Sequence, residues 1–112
     1  MFDIYTWLDI LRPRPAMYLG APSLTRLWVF LMGYQIALQD HGISFQEVGP
    51  WNFEFHRHVG RRLDQLPLNG KGYHLLILAH VGGDEAKALA LFWELLDEFR
   101  AQETADAVKI SS

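Results

Sequence analysis

A long apolar segment between two helix-ending signals constrains the fold of this chain most. Residues 24–42 follow Ser23, which favours the N-cap position, and end at Gly42, which favours the position after a helix. The segment is apolar on most sides, which is typical of a helix at the centre of its domain. Gly33 costs about 1 kcal/mol against Ala inside a helix, so we expect a second helix to cross closely there. The two predicted apolar stripes are Leu24, Leu27, Trp28, Leu31, Gln35 and Leu38, and Phe30, Gly33, Tyr34 and Ala37.

Three further segments predict amphipathic helices from the spacing of their apolar residues. They cover residues 3–11, 51–63 and 85–101, the last with Asp84 as its cap or first-turn acid. Residues 73–81 are apolar throughout and fit either a buried strand or a buried helix, although their Leu and Ala content leans towards a helix. We predict an all-α fold, a compact bundle of four or five helices. In the last helix, the predicted inward-facing residues are Ala88, Leu89, Phe92, Leu95, Leu96 and Phe99.

Length and composition indicate one globular domain. The 112 residues are half hydrophobic, contain no Cys and carry a formal charge of −3, which excludes a disordered chain and gives no basic footprint for nucleic acid. We expect a single helical domain over residues 1–103 and a flexible tail over 104–112. No apolar run reaches the ~18 residues that span a membrane, and the N-terminus lacks a basic signal region. The expectation is a cytoplasmic protein with no membrane partner.

The string RPAMYLG, residues 14–20, raises the question of ATP binding. It is similar to the string that opens the ATP-binding domain of gyrase-type topoisomerases. That domain also requires a Glu and an Asn on the following helix and a later Asp-x-Gly-x-Gly, and this chain has none of them. We therefore predict a structural role within an irregular linker: Pro15 fixes its own φ, and Gly20 allows a left-handed turn.

Three motifs resemble a group of small bacterial cytosolic proteins. The group carries Arg-Pro-x-Met-Tyr-Leu-Gly, then Ser-Leu-x-x-Leu-x-x-Phe-x-x-Gly-Tyr, and ends with an acidic helix of the type Phe-x-Glu-Leu-Leu-Asp-Glu-Phe. The resemblance spans residues 12–99, although Ala16 stands where Gly is commoner. Some members are thought to be immunity proteins of contact-dependent or polymorphic toxin systems, so it implies a cytoplasmic helical protein with that role. The matching residues are Arg14, Pro15, Met17, Tyr18, Leu19, Gly20, Ser23, Leu24, Leu27, Phe30, Gly33, Tyr34, Phe92, Glu94, Leu95, Leu96, Asp97, Glu98 and Phe99.

The acidic last helix is the predicted partner-binding surface. Nuclease toxins hold phosphate in basic clefts, and carboxylates can occupy such a cleft with complementary charge. Trp93, off the inward stripe, is the predicted apolar anchor. We expect a cognate toxin, basic in charge and of nuclease type, as the partner; the alternative is a merely solvated acidic face. The predicted contact residues are Asp84, Glu85, Trp93, Glu94, Asp97 and Glu98.

A basic cluster supports an alternative function. Arg57, His58, Arg61 and Arg62 lie within one predicted helix and suit a nucleic-acid-binding or regulatory module, with Trp51 and Phe53 nearby for stacking. The competing interpretation pairs the cluster with the acidic last helix. A homodimer formed through exposed aromatic residues is a third hypothesis. The residue pattern predicts no metal site, no cofactor and no catalytic nucleophile, so we expect a non-enzymatic protein.

Overall fold

A computed structural model describes residues 4–42, 53–65 and 72–111, and these residues form helices and turns without any strand. The all-α fold is confirmed, and a bundle of four or five helices is close to the observed arrangement. The segment 73–81, which is compatible with a strand or a helix by its sequence, forms a helix over Tyr73–His80. The helices in the described residues are α1 (Ile4–Leu11), α2 (Pro15–Leu19), α3 (Leu24–Asp40), α4 (Phe53–Arg62), α5 (Tyr73–His80) and α6 (Glu85–Ser111).

The RPAMYLG string forms a short helix rather than the predicted irregular linker. Pro15 occupies the first turn of α2, where its missing N–H costs nothing and its fixed φ suits a helix. Gly20 ends α2 with a φ of +84°, and its amide donates to the carbonyl of Ala16. A side chain at Gly20 would also meet the guanidinium of Arg26. The left-handed turn predicted at Gly20 is therefore confirmed.

Only one face of α3 is buried, so the prediction of a central helix is wrong. Ser23 caps α3 as predicted, because its hydroxyl accepts a hydrogen bond from the amide of Arg26 at 3.2 Å. The buried residues Leu24, Leu27 and Leu31 share one face, and α3 packs with it against α2, α5 and α6. On the other side, Val29 is 64% exposed and Ile36 is 55% exposed. The helix lies at the surface with an uncovered apolar face.

No close helix crossing occurs at Gly33 within the described residues. A Cβ built at Gly33 has no atom within 4 Å, and the residue lies in the interior of α3. Replacing Gly33 by Ala is therefore expected to stabilise the fold by about 0.5–1 kcal/mol, through helix propensity and a less flexible unfolded chain. Urea unfolding measures this gain. Gly20→Ala, at a positive φ, should lose stability in the same assay; a loss at Gly33 as well would contradict the open environment.

The core is an aromatic cluster between α4, α5 and α6. The ring of Phe55 lies 5.1 Å from that of Tyr73, 6.0 Å from Phe92 and 5.3 Å from Phe99, in edge-to-face arrangements. Such pairs add about 0.5–1.5 kcal/mol each beyond their buried area. Burial also raises the pKa of the Tyr73 hydroxyl. These rings hold α4 and α5 against α6.

The predicted inward stripe of α6 is confirmed, and the helix itself is longer than predicted. All six residues predicted to face inward are buried, and Asp84 caps the helix by accepting from the amide of Lys87 at 3.0 Å. The helix continues to Ser111, beyond the predicted end at residue 101. The flexibility of residues 104–112 stays a prediction. Within the described part of the chain, no helix is long and apolar enough to cross a membrane.

Candidate protein-binding surface

Most residues of the predicted acidic surface form contacts with other residues of the same chain. Asp97 accepts both hydrogen bonds of a bidentate pair from Arg12, at 2.7 and 2.8 Å, and the hydrogen bond from Arg12 lowers the pKa of Asp97. The guanidinium of Arg12 also lies 5.3 Å from the ring centre of Trp93. Trp93 is only 8% exposed, so its predicted position off the buried stripe is wrong. Arg12 covers this side of α6 and leaves no exposed indole to anchor a partner.

Glu98 joins the acidic helix to the basic cluster. It accepts hydrogen bonds from Nε and Nη2 of Arg62 at 2.7 and 3.0 Å, and its Oε1 lies 3.1 Å from Nε2 of the buried His58. The hydrogen bond from Arg62, and then that of His58, lowers the pKa of Glu98. Arg57 pairs with Glu54 on its own helix at 3.4 Å. The pairing of the basic cluster with α6 is thus observed for His58 and Arg62.

Three predicted residues remain to be placed. Glu85 accepts from the hydroxyl of Ser23 at 3.0 Å, and from the amide and hydroxyl of Thr25 at 2.9 and 2.6 Å, so it joins the start of α6 to the start of α3. Glu94 and Arg61 are exposed, and neither forms an ion pair with another described residue. The stacking residues Trp51 and the side chain of Phe53 lie outside the described residues.

The paired carboxylates of Asp97 and Glu98 should make the fold sensitive to acid. Their pKa values lie below the ordinary 3.8 of Asp97 and 4.5 of Glu98, so they bind fewer protons folded than unfolded. Their contribution to stability is complete above those ordinary values and is lost as the pH falls through the lowered ones. Thermal unfolding between about pH 7 and pH 3 should show this loss. Glu98→Gln should reduce its steepness, and an unchanged slope would contradict the assignment.

His74 is a second pH-sensitive group. Its ring stacks on Trp28 with centres 3.9 Å apart, and its buried Nδ1 has no hydrogen-bond partner among the described residues. Burial lowers its pKa below 6.5; Glu85 opposes this shift, and His56 adds to it. Protonation of His74 therefore costs stability as the pH falls below 6.5.

Replacing His74 by Phe tests this environment. The stack on Trp28 is kept and the unpaired nitrogen is removed, so we expect a gain of about 1 kcal/mol near neutral pH. The gain should grow as the pH falls below about 6.5, because the unfolded wild type then takes up a proton at His74 that the folded state resists. Urea unfolding at several pH values measures both effects. A gain that does not change with pH would show that His74 keeps its ordinary pKa in the fold.

An apolar surface is exposed on the side of α3 that faces away from its buried residues. It is formed by α2 and by the outer face of α3, and it extends to α1 through one cavity that all three helices line. Large hydrophobic side chains seldom cluster on the surface of a monomer without a binding role. The exposed members on α2 and α3 are Met17, Tyr18, Val29, Phe30, Met32 and Ile36.

Two adjoining cavities shape this surface, which we call the α1–α3 groove. The first holds about 250 Å³ and has an entirely apolar accessible lining; the second holds about 330 Å³ and reaches Arg26. Tyr18 and Phe30 line both cavities and separate them. The first is lined by Trp7, Ile10, Leu11, Tyr18, Phe30 and Tyr34, and the second by Tyr18, Leu19, Thr25, Arg26, Val29 and Phe30.

Sequence reasoning missed the groove, although its motifs build it. RPAMYLG contributes Tyr18 to the groove and Leu19 to its floor, and the following motif contributes Phe30 and Tyr34. The signal in the sequence was that α3 carries more apolar residues than one buried face requires. This surplus predicts a helix at the centre of the domain, whereas in the structure it forms a second, exposed apolar face of α3.

The described residues bring few potential metal ligands together. No group of three or more potential metal-ligating side chains lies together among them. Comparisons of the chain with protein-family models, with curated proteins and with solved structures find no match. The resemblance to small bacterial immunity-type proteins therefore stays a prediction.

Proposed function

We propose that this chain is a non-catalytic protein-binding module, and specifically an immunity protein that neutralises a cognate toxin by occluding its active-site cleft. The observation that carries the proposal is the exposed α1–α3 groove. It combines two tyrosines, a tryptophan and a phenylalanine around apolar cavities. Aromatic residues in desolvated pockets supply much of the binding energy of protein interfaces. The motif resemblance supports a toxin as the partner.

The groove suits this role better than the acidic face of α6. Asp97 and Glu98 are already paired with Arg12 and Arg62, and a toxin would have to displace those arginines to reach them. Displacement would leave the arginines without their hydrogen-bond partners, and this loss would offset the free energy gained from new pairs with the toxin. The groove instead presents Tyr18, Val29 and Phe30, which are exposed apolar and aromatic side chains. We therefore place the partner at α1–α3 and not at α6.

The other function classes receive less support from the described residues. The hydroxyl of Ser23 donates to Glu85 and accepts from Arg26, so its capacity is used in capping α3. In the basic cluster, Arg62 is paired with Glu98, which reduces the cationic surface that nucleic acid would require. A non-catalytic binding role fits both arrangements.

Paired variants test the proposal. The tagged chain should capture a partner from a lysate of its own organism, and that partner expressed alone should stop growth. Co-expression of the wild-type chain should restore growth, whereas Phe30→Glu should not, because it places a charge between the two cavities. Leu75→Glu is the matched control, since Leu75 is 48% exposed on α5 and lines neither cavity.

Circular dichroism and thermal unfolding establish that both variants are folded. Phe30 is 37% exposed, so a charge there should leave the fold in place. Restoration of growth by Phe30→Glu at wild-type efficiency would remove the groove from the proposal. A captured partner that does not stop growth would overturn the immunity role.

A further inference from the structure

We propose that the α1–α3 groove binds an amphipathic helix of the partner that carries apolar side chains one turn apart and carboxylates beside them. This inference rests on the proposed function and specifies the chemistry of the segment that the groove accepts. Three independent features support it: the spacing of the two cavities, the open space at Gly33, and the guanidinium of Arg26 beside the second cavity.

The two cavities are spaced like the side chains of a helix. They follow each other along α3, the first beside Phe30 and Tyr34 and the second beside Arg26 and Val29, which is about one helical turn of 5.4 Å. Side chains at positions i and i+4 of a helix lie about 5–6 Å apart. An extended peptide would need hydrogen-bond partners for its backbone, and the first cavity offers an apolar lining only. A helix satisfies its own backbone and needs none.

Gly33 allows a partner helix to approach α3 closely. The space around a Cβ at this position is open to 4 Å, and Ala37 follows one turn later on the same exposed side of α3. Small residues on one helix face let the backbones of two helices pack near each other. The close crossing that Gly33 predicts has no helix of this chain to make it among the described residues, so a partner helix can fill the position.

The charge beside the groove favours a carboxylate. Arg26 lines the second cavity and spends one N–H on the carbonyl of Leu19 at 2.9 Å. Arg26 forms no ion pair with another described residue, and the nearby carboxylate of Glu85 already accepts three hydrogen bonds. In contrast, the arginines with a carboxylate partner are Arg12, Arg57, Arg62 and Arg100.

Synthetic helices provide the test. The probe is a fluorescein-labelled, Ala- and Gln-based peptide of about 15 residues, long enough for a helix, with Leu at i and i+4 and Glu on both flanks. Fluorescence anisotropy against the full chain should show saturable binding. The peptide with Lys in place of Glu should bind about tenfold more weakly at low salt, because it meets Arg26 with like charge. Moving one Leu to position i+2 should abolish binding, because the two Leu side chains then no longer lie on one face of the peptide helix.

Three protein variants complete the design. Gly33→Gln should remain folded, since its side chain enters open space, yet it should weaken peptide binding at least about tenfold by blocking the helix. Arg26→Gln should lose most of the preference for Glu over Lys. Leu75→Glu, at a position that lines neither cavity, should bind like the wild type.

The outcomes separate this inference from the proposed function. Absent binding of the Glu peptide, or equal binding of the Glu and Lys peptides, would overturn the helix inference. If growth rescue still depends on Phe30 in that case, the binding function stands and only the helix chemistry falls. Self-association of the free chain that Gly33→Gln abolishes would assign the groove to a second copy, and would overturn the inference too.

Discussion

Replacing Phe55 by Ala should lower the free energy of unfolding by about 3–5 kcal/mol, the usual cost of removing a buried aromatic ring. Phe55 is completely buried, and its ring contacts those of Tyr73, Phe92 and Phe99. These rings belong to α5 and α6, so the cavity left behind would open the junction of three helices. Because small domains are stable by only about 5–15 kcal/mol, the variant should be close to unfolding at 37 °C.

The same substitution at Phe30 is the matched comparison for Phe55→Ala. Phe30 lies on the outer face of α3 and is 37% exposed, so Phe30→Ala should cost less than about 1 kcal/mol. Urea unfolding followed by circular dichroism measures both variants. Similar losses at the two positions would show that the groove is part of the core, and would count against its role as an exposed binding surface. A small loss at Phe55 would place the hydrophobic core elsewhere.

The local structure of this chain could be predicted because its signals lie close together in sequence. Ser23 and Asp84 cap the helices that follow them, and the buried stripe of α6 repeats at helical spacing. Each of these features depends on residues within one or two turns. The C-terminal part of α6 was missed, since residues beyond 101 carry no apolar stripe, yet the helix continues to Ser111.

The charge pairing could not be predicted in detail from spacing. Arg12 and Asp97 are 85 residues apart, and Arg62 and Glu98 are 36 residues apart. Spacing assigns a carboxylate to a face of its own helix, but the helix packed beside that face decides which cation it meets. Trp93 illustrates the same limit, because the cover over its ring comes from Arg12, just after α1.

The groove was missed for a related reason. An apolar face is buried only when another element covers it, and α3 has such cover on one side, from α2, α5 and α6. The pattern around Val29, Phe30 and Ile36 gives the chemistry of the other face and not its neighbours. The motif letters alone likewise do not separate Leu19, which is buried, from Tyr18, which is exposed.

Replacing Glu85 by Ala should lower the free energy of unfolding by about 2 kcal/mol, since hydrogen bonds to a charged group contribute about 1.5–3 kcal/mol. The carboxylate accepts from Ser23 and twice from Thr25. Burial raises the pKa of Glu85, and the hydrogen bonds from Thr25 and Ser23 outweigh it and lower that pKa overall. The loss caused by Glu85→Ala should therefore shrink as the pH falls below 4.5, where the wild type begins to lose the same interaction.

Glu94→Ala is the control for Glu85→Ala. Glu94 lies on the same helix and is exposed, so its loss should change stability by less than about 0.5 kcal/mol. Both residues were predicted to contact a partner, and the two variants separate that role from a structural one. If Glu85 only joins α6 to α3, the Glu85→Ala variant should restore growth at a temperature where it is fully folded. A loss of rescue in the folded Glu94→Ala variant would return the partner to the acidic face of α6 and contradict its placement at the α1–α3 groove.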